Sequence, residues 1–360
     1  MINFKLGTNF NFELLLGVIE LNKQFEEKGT RIGEFYGSDR KNAFLAARPD
    51  FRLPDVSRED LEKFVHICND NMIEFNYTMN SINPGSKREI VEKKNYICDY
   101  VKYLEDIGVK RITVANPILL EIIREVSKTI RIEISTIAHI DAITQIRYYK
   151  EAYDVDKVCG NLMKNRSIKF LKKAAEYCNK IDVKYEMMVN EFCITGGFDY
   201  STHCVFRDSC YCVHSTDKTK EDALSLNGYP MQFCMSSRNT HPANWLRARF
   251  IRPEDIDKYV SIGINNFKIT GRTGTTEYLL TMAKAYLEKK WNGNLLSLWK
   301  PLETIYSEQK ESEFKHVVNI PNEKLDGFLD YWFDDDFYCE ENVCGITCKY
   351  CEDYFKKHIE

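Results

Sequence analysis

The sequence predicts an α/β chain folded as a (β/α)8, TIM-like barrel, with a cysteine-rich insertion after the seventh strand and a cysteine-rich C-terminal tail. Two observations predict the barrel. Short apolar runs alternate with amphipathic ones, which is the rhythm of a parallel sheet covered by helices. Eight such units fall within roughly 290 residues, the span that a closed barrel needs. A doubly wound open sheet is the alternative, because counting elements does not prove closure. A third observation marks what is added to the barrel: nine of the 13 cysteines crowd into two late segments.

The elements follow in order. FKLGTN (4–9) reads as a strand, and 12–29 as a helix closed by Gly29. RIGEFYG (31–37) is the second strand. After a loop containing Pro49 and Pro54, Ser57 is placed to cap the helix SREDLEKFVHICNDN, with Asp60 three residues on. MIEFNYTMN is a strand, and residues 87–108 read as one long helix ending at Gly108. KRITVANP, RIEISTIA and VDKVCGN are strands, each followed by a helix, and KYEMMVNEFC is the seventh strand. Regularity fails between Phe192 and about His241. It resumes with the helical RPEDIDKYVSIG, the strand NNFKITGR and the helix TTEYLLTMAKAYLEKKW. The expected division is a barrel over 1–291 and a tail over 292–360.

Composition limits the function classes. Hydrophobic residues make up 44% and charged residues 29%, the balance of a chain with a real core. The net charge of −4 excludes a broadly basic nucleic-acid coat. No apolar run approaches the roughly 18 residues of a membrane span. MINFKLGTNF lacks a basic region followed by an apolar one, so no secretory signal and a cytoplasmic location are expected. Thiols stay reduced there, and crowded cysteines are more often metal or redox ligands than bridges.

The C-terminal ends of barrel strands carry the site. Those ends are Thr8 and Asn9, Glu34 and Tyr36, Asn76 and Asn80, Asn116, Ser135 and Thr136, Asn161, Asn190 and Glu191, and Thr270 and Arg272. Such groups orient a polar ligand, or they cap helices and make turns. Lys268 lies inside an apolar strand, where an unpaired ammonium is costly. It meets an anion at the mouth, pairs with a buried carboxylate such as Glu191, or snorkels from a strand end. Arg272, just past Gly271, is suited to holding a carboxylate or phosphate bidentately.

The first cysteine group is Cys193, Cys204, Cys210, Cys212 and Cys234. Four thiolates suit an iron–sulfur cluster, and zinc accepts the same set. His203, His214 and His241 keep a mixed zinc site open. Cys68, Cys98 and Cys178 on helices read as ordinary thiols of the core. The second group is Cys339, Cys344, Cys348 and Cys351, spaced C-x4-C-x3-C-x2-C. Four thiols this close call for a metal, zinc or iron–sulfur.

The run MMVNEFC, the loop CVFRDSC, FCMSSRN, and above all RPEDIDKYVSIGINNFKITGR followed by TTEYLLTMAKAYL resemble peptidase family U32. The resemblance implies a barrel-like domain. Despite the name, it also implies an oxygen-independent hydroxylase of RNA or of a small molecule such as the ubiquinone ring. Such an enzyme holds a [4Fe–4S] cluster on four cysteines and takes oxygen from prephenate. Carried over, Cys193, Cys204 and Cys234 match three ligands, and Cys212 or Cys210 the fourth, with Cys212 preferred. Glu191 matches the acidic residue before the first cysteine, as a proton donor or acceptor, and Lys268, Gly271 and Arg272 match a Lys–Ile–x–Gly–Arg motif. Thr270 stands where the family has a glutamate.

The leading expectation is therefore an iron–sulfur enzyme in which Lys268 and Arg272 hold a carboxylate co-substrate. A peptidase is the second, although the chain has neither H-E-x-x-H nor G-x-S-x-G. A non-enzymatic iron–sulfur partner protein, passing electrons or docking an electron donor, is the third. RNA contact is open through the run Arg238, Arg247, Arg249 and Arg252, against a solvated helix start.

Overall fold

The protein is represented by a computed structural model describing residues 1–192, 221, 222, 225, 238, 240–272, 274–299, 318–334 and 339–360. Eight parallel strands close into a barrel in the order of the chain. They are β1 (Ile2–Gly7), β2 (Thr30–Gly37), β3 (Glu74–Met79), β4 (Arg111–Val114), β5 (Arg131–Ile134), β6 (Lys157–Cys159), β7 (Lys184–Met188) and β8 (Asn266–Ile269). Closure comes from β8 lying against β1, with Lys5 in register with Lys268. The open-sheet alternative is thereby removed.

The helices sit where the amphipathic runs place them: α1 (Phe12–Phe25), α2 (Arg58–Asp70), α3 (Lys87–Glu92), α4 (Lys94–Asp106), α5 (Pro117–Val126), α6 (Ile143–Tyr153), α7 (Ile168–Lys180) and α8 (Thr276–Glu288). Ser57 accepts from the Asp60 amide, as its position predicts. Gly29 ends the α1 region at φ +88°, a conformation that glycine adopts without strain. The single long helix expected over 87–108 is two. Lys93 leaves helical geometry at φ −91°, ψ 1°. Beyond the break, the exposed Tyr96 and the buried Tyr100 reach Asn42 and Asp39, with hydroxyl hydrogen bonds of 2.8 and 2.9 Å. No glycine or proline marks this break, so periodicity does not reveal it.

The tail residues do not form a separate core. Trp299, Phe328, Leu329, Trp332 and Phe355 belong to the same buried apolar cluster as the barrel. Arg166, after β6, joins the two parts. Its guanidinium donates to the carbonyls of Leu246 (2.9 Å) and Ala248 (2.6 Å) and lies over the rings of Trp332, Phe328 and Phe250. Among the described residues no helix is long and apolar enough to cross a membrane.

Candidate functional site

Alternate positions of each strand point into the barrel, and in this chain they carry charge. Lys5 of β1 lies 2.5 Å from Glu133 Oε1 and 2.6 Å from Glu186 Oε2, the latter an ion pair without hydrogen-bond geometry. Lys157 lies 2.5 Å from Glu34 Oε2, and Arg111 reaches the same oxygen at 2.8 Å. Asn76 donates to Glu34 (2.8 Å) and Glu133 (2.9 Å) and accepts from Thr113. Three carboxylates thus face two ammoniums and one guanidinium, all buried. Burial pulls the Lys5 ammonium down, but Glu133, Glu186 and Glu34 outweigh it, and its pKa stands well above the lysine value. Burial raises Glu34 and Glu186; the cations, Lys157 first for Glu34 and Lys5 first for Glu186, bring both below the ordinary carboxylate value.

Glu133, Cys159 and Glu186 bring one ligand atom each within 4.8 Å of one another, the only such three-ligand group among the described residues. Lys5 already stands between the two carboxylates, so the chain supplies its own cation there. This inner layer was not read from the sequence. The signal was present: Lys5, Glu133, Lys157 and Glu186 each interrupt an apolar strand, as Lys268 does.

The mouth lies above this layer. Gly271 holds φ +125°, and a Cβ there would stand 2.9 Å from Met282. Gly7 is needed for a different reason, because its Cβ would meet the backbone and Cβ of Arg272 at 2.7–2.8 Å. The two glycines let the end of β8 fold back over β1 and set Arg272 inward. Arg272 donates to Thr78 Oγ1 at 2.8 Å and approaches Ser38 Oγ at 3.4 Å. Lys268 Nζ stands 4.3 Å above the Tyr36 ring. Both cations are buried, and among the described residues neither has a carboxylate partner. Burial first and then the Lys5 charge lower the Lys268 pKa. Burial and then Arg48 pull Arg272 down to about 9, still charged at neutral pH.

The pairing of Lys268 with Glu191 does not occur. Glu191 is half-buried at the end of β7, close enough to Tyr36 and Tyr278 to raise both phenols, burial being the larger cause for each. Asn190 is a latch, not a ligand-binding group. It accepts from the Thr270 amide at 2.6 Å and donates to the carbonyls of Thr270 and Leu298.

Other strand-end residues serve the fold, three of them in the capping role that is one of the two expectations. Glu34 and Asn76 belong to the inner ion layer. Asn116, Ser135 and Asn161 accept from amides two residues on and cap the turns that follow. The arginine run is no phosphate-binding surface and no solvated helix start, because all four side chains are buried. Arg238 donates to the Phe192 carbonyl, Arg247 to Asn244, Arg249 to Cys339 Sγ, and Arg252 to Asp255.

Cys193, Cys204, Cys210, Cys212 and Cys234, with His203 and His214, lie outside the described residues. His241 is described and exposed. The tail cysteines are all described as free thiols, and Cys339, Cys344, Cys348 and Cys351 line one cleft with Arg247, Arg249 and Trp332. Of the helix thiols, Cys68 and Cys178 are buried and Cys98 is half-buried.

Known proteins give these features a context. The chain is 23% identical over 341 residues to an uncharacterized protease of Methanocaldococcus jannaschii, covering 95% of this chain and 91% of that protein. It is 28% identical over 203 residues to the tRNA hydroxylation protein P1 of Bacillus subtilis, covering 52% of this chain and 44% of that protein. A solved U32 peptidase structure aligns with a TM-score of 0.48 at 12% identity, over 75% of this chain and 94% of the other. The model of peptidase family U32 matches residues 45–294, from the loop after β2 through the helix after β8, and the chain therefore belongs to that family.

Proposed function

We propose that this chain is an iron–sulfur enzyme that hydroxylates an RNA or small-molecule substrate without molecular oxygen. A carboxylate co-substrate such as prephenate binds at the barrel mouth. One observation carries the reading: Lys268 and Arg272 are buried at the mouth, and no described carboxylate pairs with either. A buried cation without a counter-ion is costly, and an anionic ligand removes that cost. The Thr78 and Ser38 hydroxyls beside Arg272 add neutral donors. The likeness to a tRNA hydroxylation protein supports the reaction class.

Five thiols within 42 residues, starting just past β7, form a donor set that fits a [4Fe–4S] cluster. Cys193, Cys204, Cys212 and Cys234 would hold it, and a cluster there supplies one-electron chemistry. Lys268 and Arg272 orient the carboxylate. Glu191 holds or moves a proton at the edge of the mouth.

Two measurements test this reading. Anaerobically prepared protein contains iron and acid-labile sulfide that fall when Cys193 and Cys234 are changed to serine; protein that stays iron-free after reconstitution ends the hydroxylase reading. Calorimetric titration with prephenate shows binding that weakens about tenfold to a hundredfold in Lys268→Met or Arg272→Gln. That range corresponds to ~1.5–3 kcal/mol for a hydrogen bond to a charged group. Unchanged affinity in both variants removes the anion site. Cleavage of gelatin that depends on Glu191 would favour a peptidase instead.

A further inference from the structure

The geometry points to a second iron–sulfur site, a [4Fe–4S] cluster held by Cys339, Cys344, Cys348 and Cys351 and docked on the barrel through Arg249 and Arg166. The tail lies outside the span matched by the family model, which ends at residue 294. The site also stands independently of the reading of the mouth and of the cysteines after β7.

Local structure brings the four thiols together. Cys339 opens a short 3-10 turn, Cys339–Glu341. Cys344 and Cys348 face each other across a tight knuckle. There the Val343 carbonyl accepts from the amides of Ile346, Thr347 and Cys348, and the Gly345 amide donates back to the Cys348 carbonyl at 2.6 Å. Gly345 holds φ +79°, which closes the knuckle. Cys351 lies in the first turn of the helix Tyr350–His358 and is buried. All four line one cleft, with Arg247, Arg249 and Trp332.

Taken three at a time, the sulfurs stand wider than one bound zinc ion would hold them. A single zinc ion, with Zn–S bonds of about 2.3 Å in a tetrahedron, draws its four sulfurs to about 3.8 Å from one another. No three of these sulfurs lie within 4.8 Å of one another. A four-iron cube binds each thiolate at a separate corner and so holds the sulfurs farther apart.

Charge supplies an independent argument. Arg249 Nη1 donates to Cys339 Sγ at 3.1 Å, and Arg166 Nη1 points at Cys351 Sγ at 3.9 Å. Both guanidiniums are buried, and among the described residues neither has a carboxylate partner. Four metal-bound thiolates provide the negative charge that these cations lack. Trp332, buried beside them, gives Cys339 Sγ a second hydrogen bond at 3.0 Å. Donors to a ligand sulfur favour the reduced, more negative cluster and raise its potential.

The test uses the full chain, prepared anaerobically, with Cys193, Cys204, Cys210, Cys212 and Cys234 all changed to serine. About four iron and four sulfide per chain remain, with a paramagnetic signal on dithionite reduction. Both are lost when Cys344 and Cys348 are also changed to serine. One zinc per chain in place of iron, or no metal at all, overturns the assignment. Should the multiple variant not fold, the tail pair is changed alone in the otherwise native chain, and iron falls by about four per chain; an unchanged iron content overturns the site. Trp332→Phe moves the midpoint potential of the remaining cluster to more negative values, and an unmoved potential removes Trp332 from the site. None of these readings depends on whether the cysteines after β7 bind a cluster.

Discussion

Lys5 shows what one residue contributes at the centre of this barrel. Its ammonium holds Glu133 and Glu186 together while Lys157 and Arg111 hold Glu34. Replacing it with methionine leaves two buried carboxylates short of a cation, and the expected loss of stability is about 3–5 kcal/mol at neutral pH. The sign of the pH dependence follows from the shifts. Burial and the Glu186 charge raise Glu133, but Glu34 and Glu186 have pKa values below those of an unfolded chain. Their stabilisation is therefore present above the ordinary carboxylate pKa and is lost as pH falls through the lowered one. Lys5 is shifted upward, so its contribution persists until pH rises beyond the ordinary lysine value. Denaturant unfolding of Lys5→Met against the native chain should show a gap that is widest near pH 7 and narrows below about pH 4. A gap independent of pH would mean that packing, not charge, is what Lys5 provides. At the mouth the shift runs the other way: Lys268 titrates below the ordinary lysine value. Its hold on a carboxylate therefore declines before that of a solvated lysine as pH rises.

The strand ends are set by backbone, and here the consequences belong to whole elements. Gly271 at φ +125° aims Arg272 into the mouth, and Asn190 ties the end of β7 to the end of β8. Gly271→Ala adds a Cβ 2.9 Å from Met282 in a region that L-residues rarely adopt. It is expected to cost about 1–3 kcal/mol and to weaken carboxylate binding together with stability. Thermal unfolding and titration on the same preparation check this, and native values in both would show that the turn has another way to close. The α3–α4 break carries a different lesson. The helical pattern of 87–108 is continuous in sequence, and Lys93 is no helix breaker. The turn at Lys93 accompanies the polar partners that Tyr96 and Tyr100 find within the β2–α2 loop.

For the molecule as a whole, barrel and tail share one core. Trp299 stacks on Trp245 at 5.5 Å, Phe328 lies beside Phe250, and Arg166 runs under Trp332. A chain ending at residue 291 would expose these partners and leave Arg166 and Arg249 without the groups that face them. Burying one large apolar side chain is worth ~1.5–3 kcal/mol, and several are lost together, so the truncated chain should aggregate or melt far below the intact one. A soluble, cooperatively folded fragment with the native melting temperature would show that the barrel is self-sufficient.

What the sequence determined alone was what periodicity and spacing encode locally. The eight strand–helix units, the cap at Ser57, the Gly–Arg end of β8 and the two cysteine groups all depend on residues within a few positions of one another. The lysine in β8 was legible because a charge inside a strand buried on both faces has no cheap explanation. The tertiary structure alone decided which charges answer which. Lys5 and Glu133 are 128 residues apart, and Arg166 and Cys351 are 185 apart. Arg247, Arg249 and Arg252, which read as part of a solvated basic run, are buried against the tail, because Glu352, Cys339 and the Asn322 carbonyl lie where the chain folds back. Closure of the barrel and docking of the tail bring such distant positions within 4 Å, and no local pattern records a contact that only the tertiary fold creates.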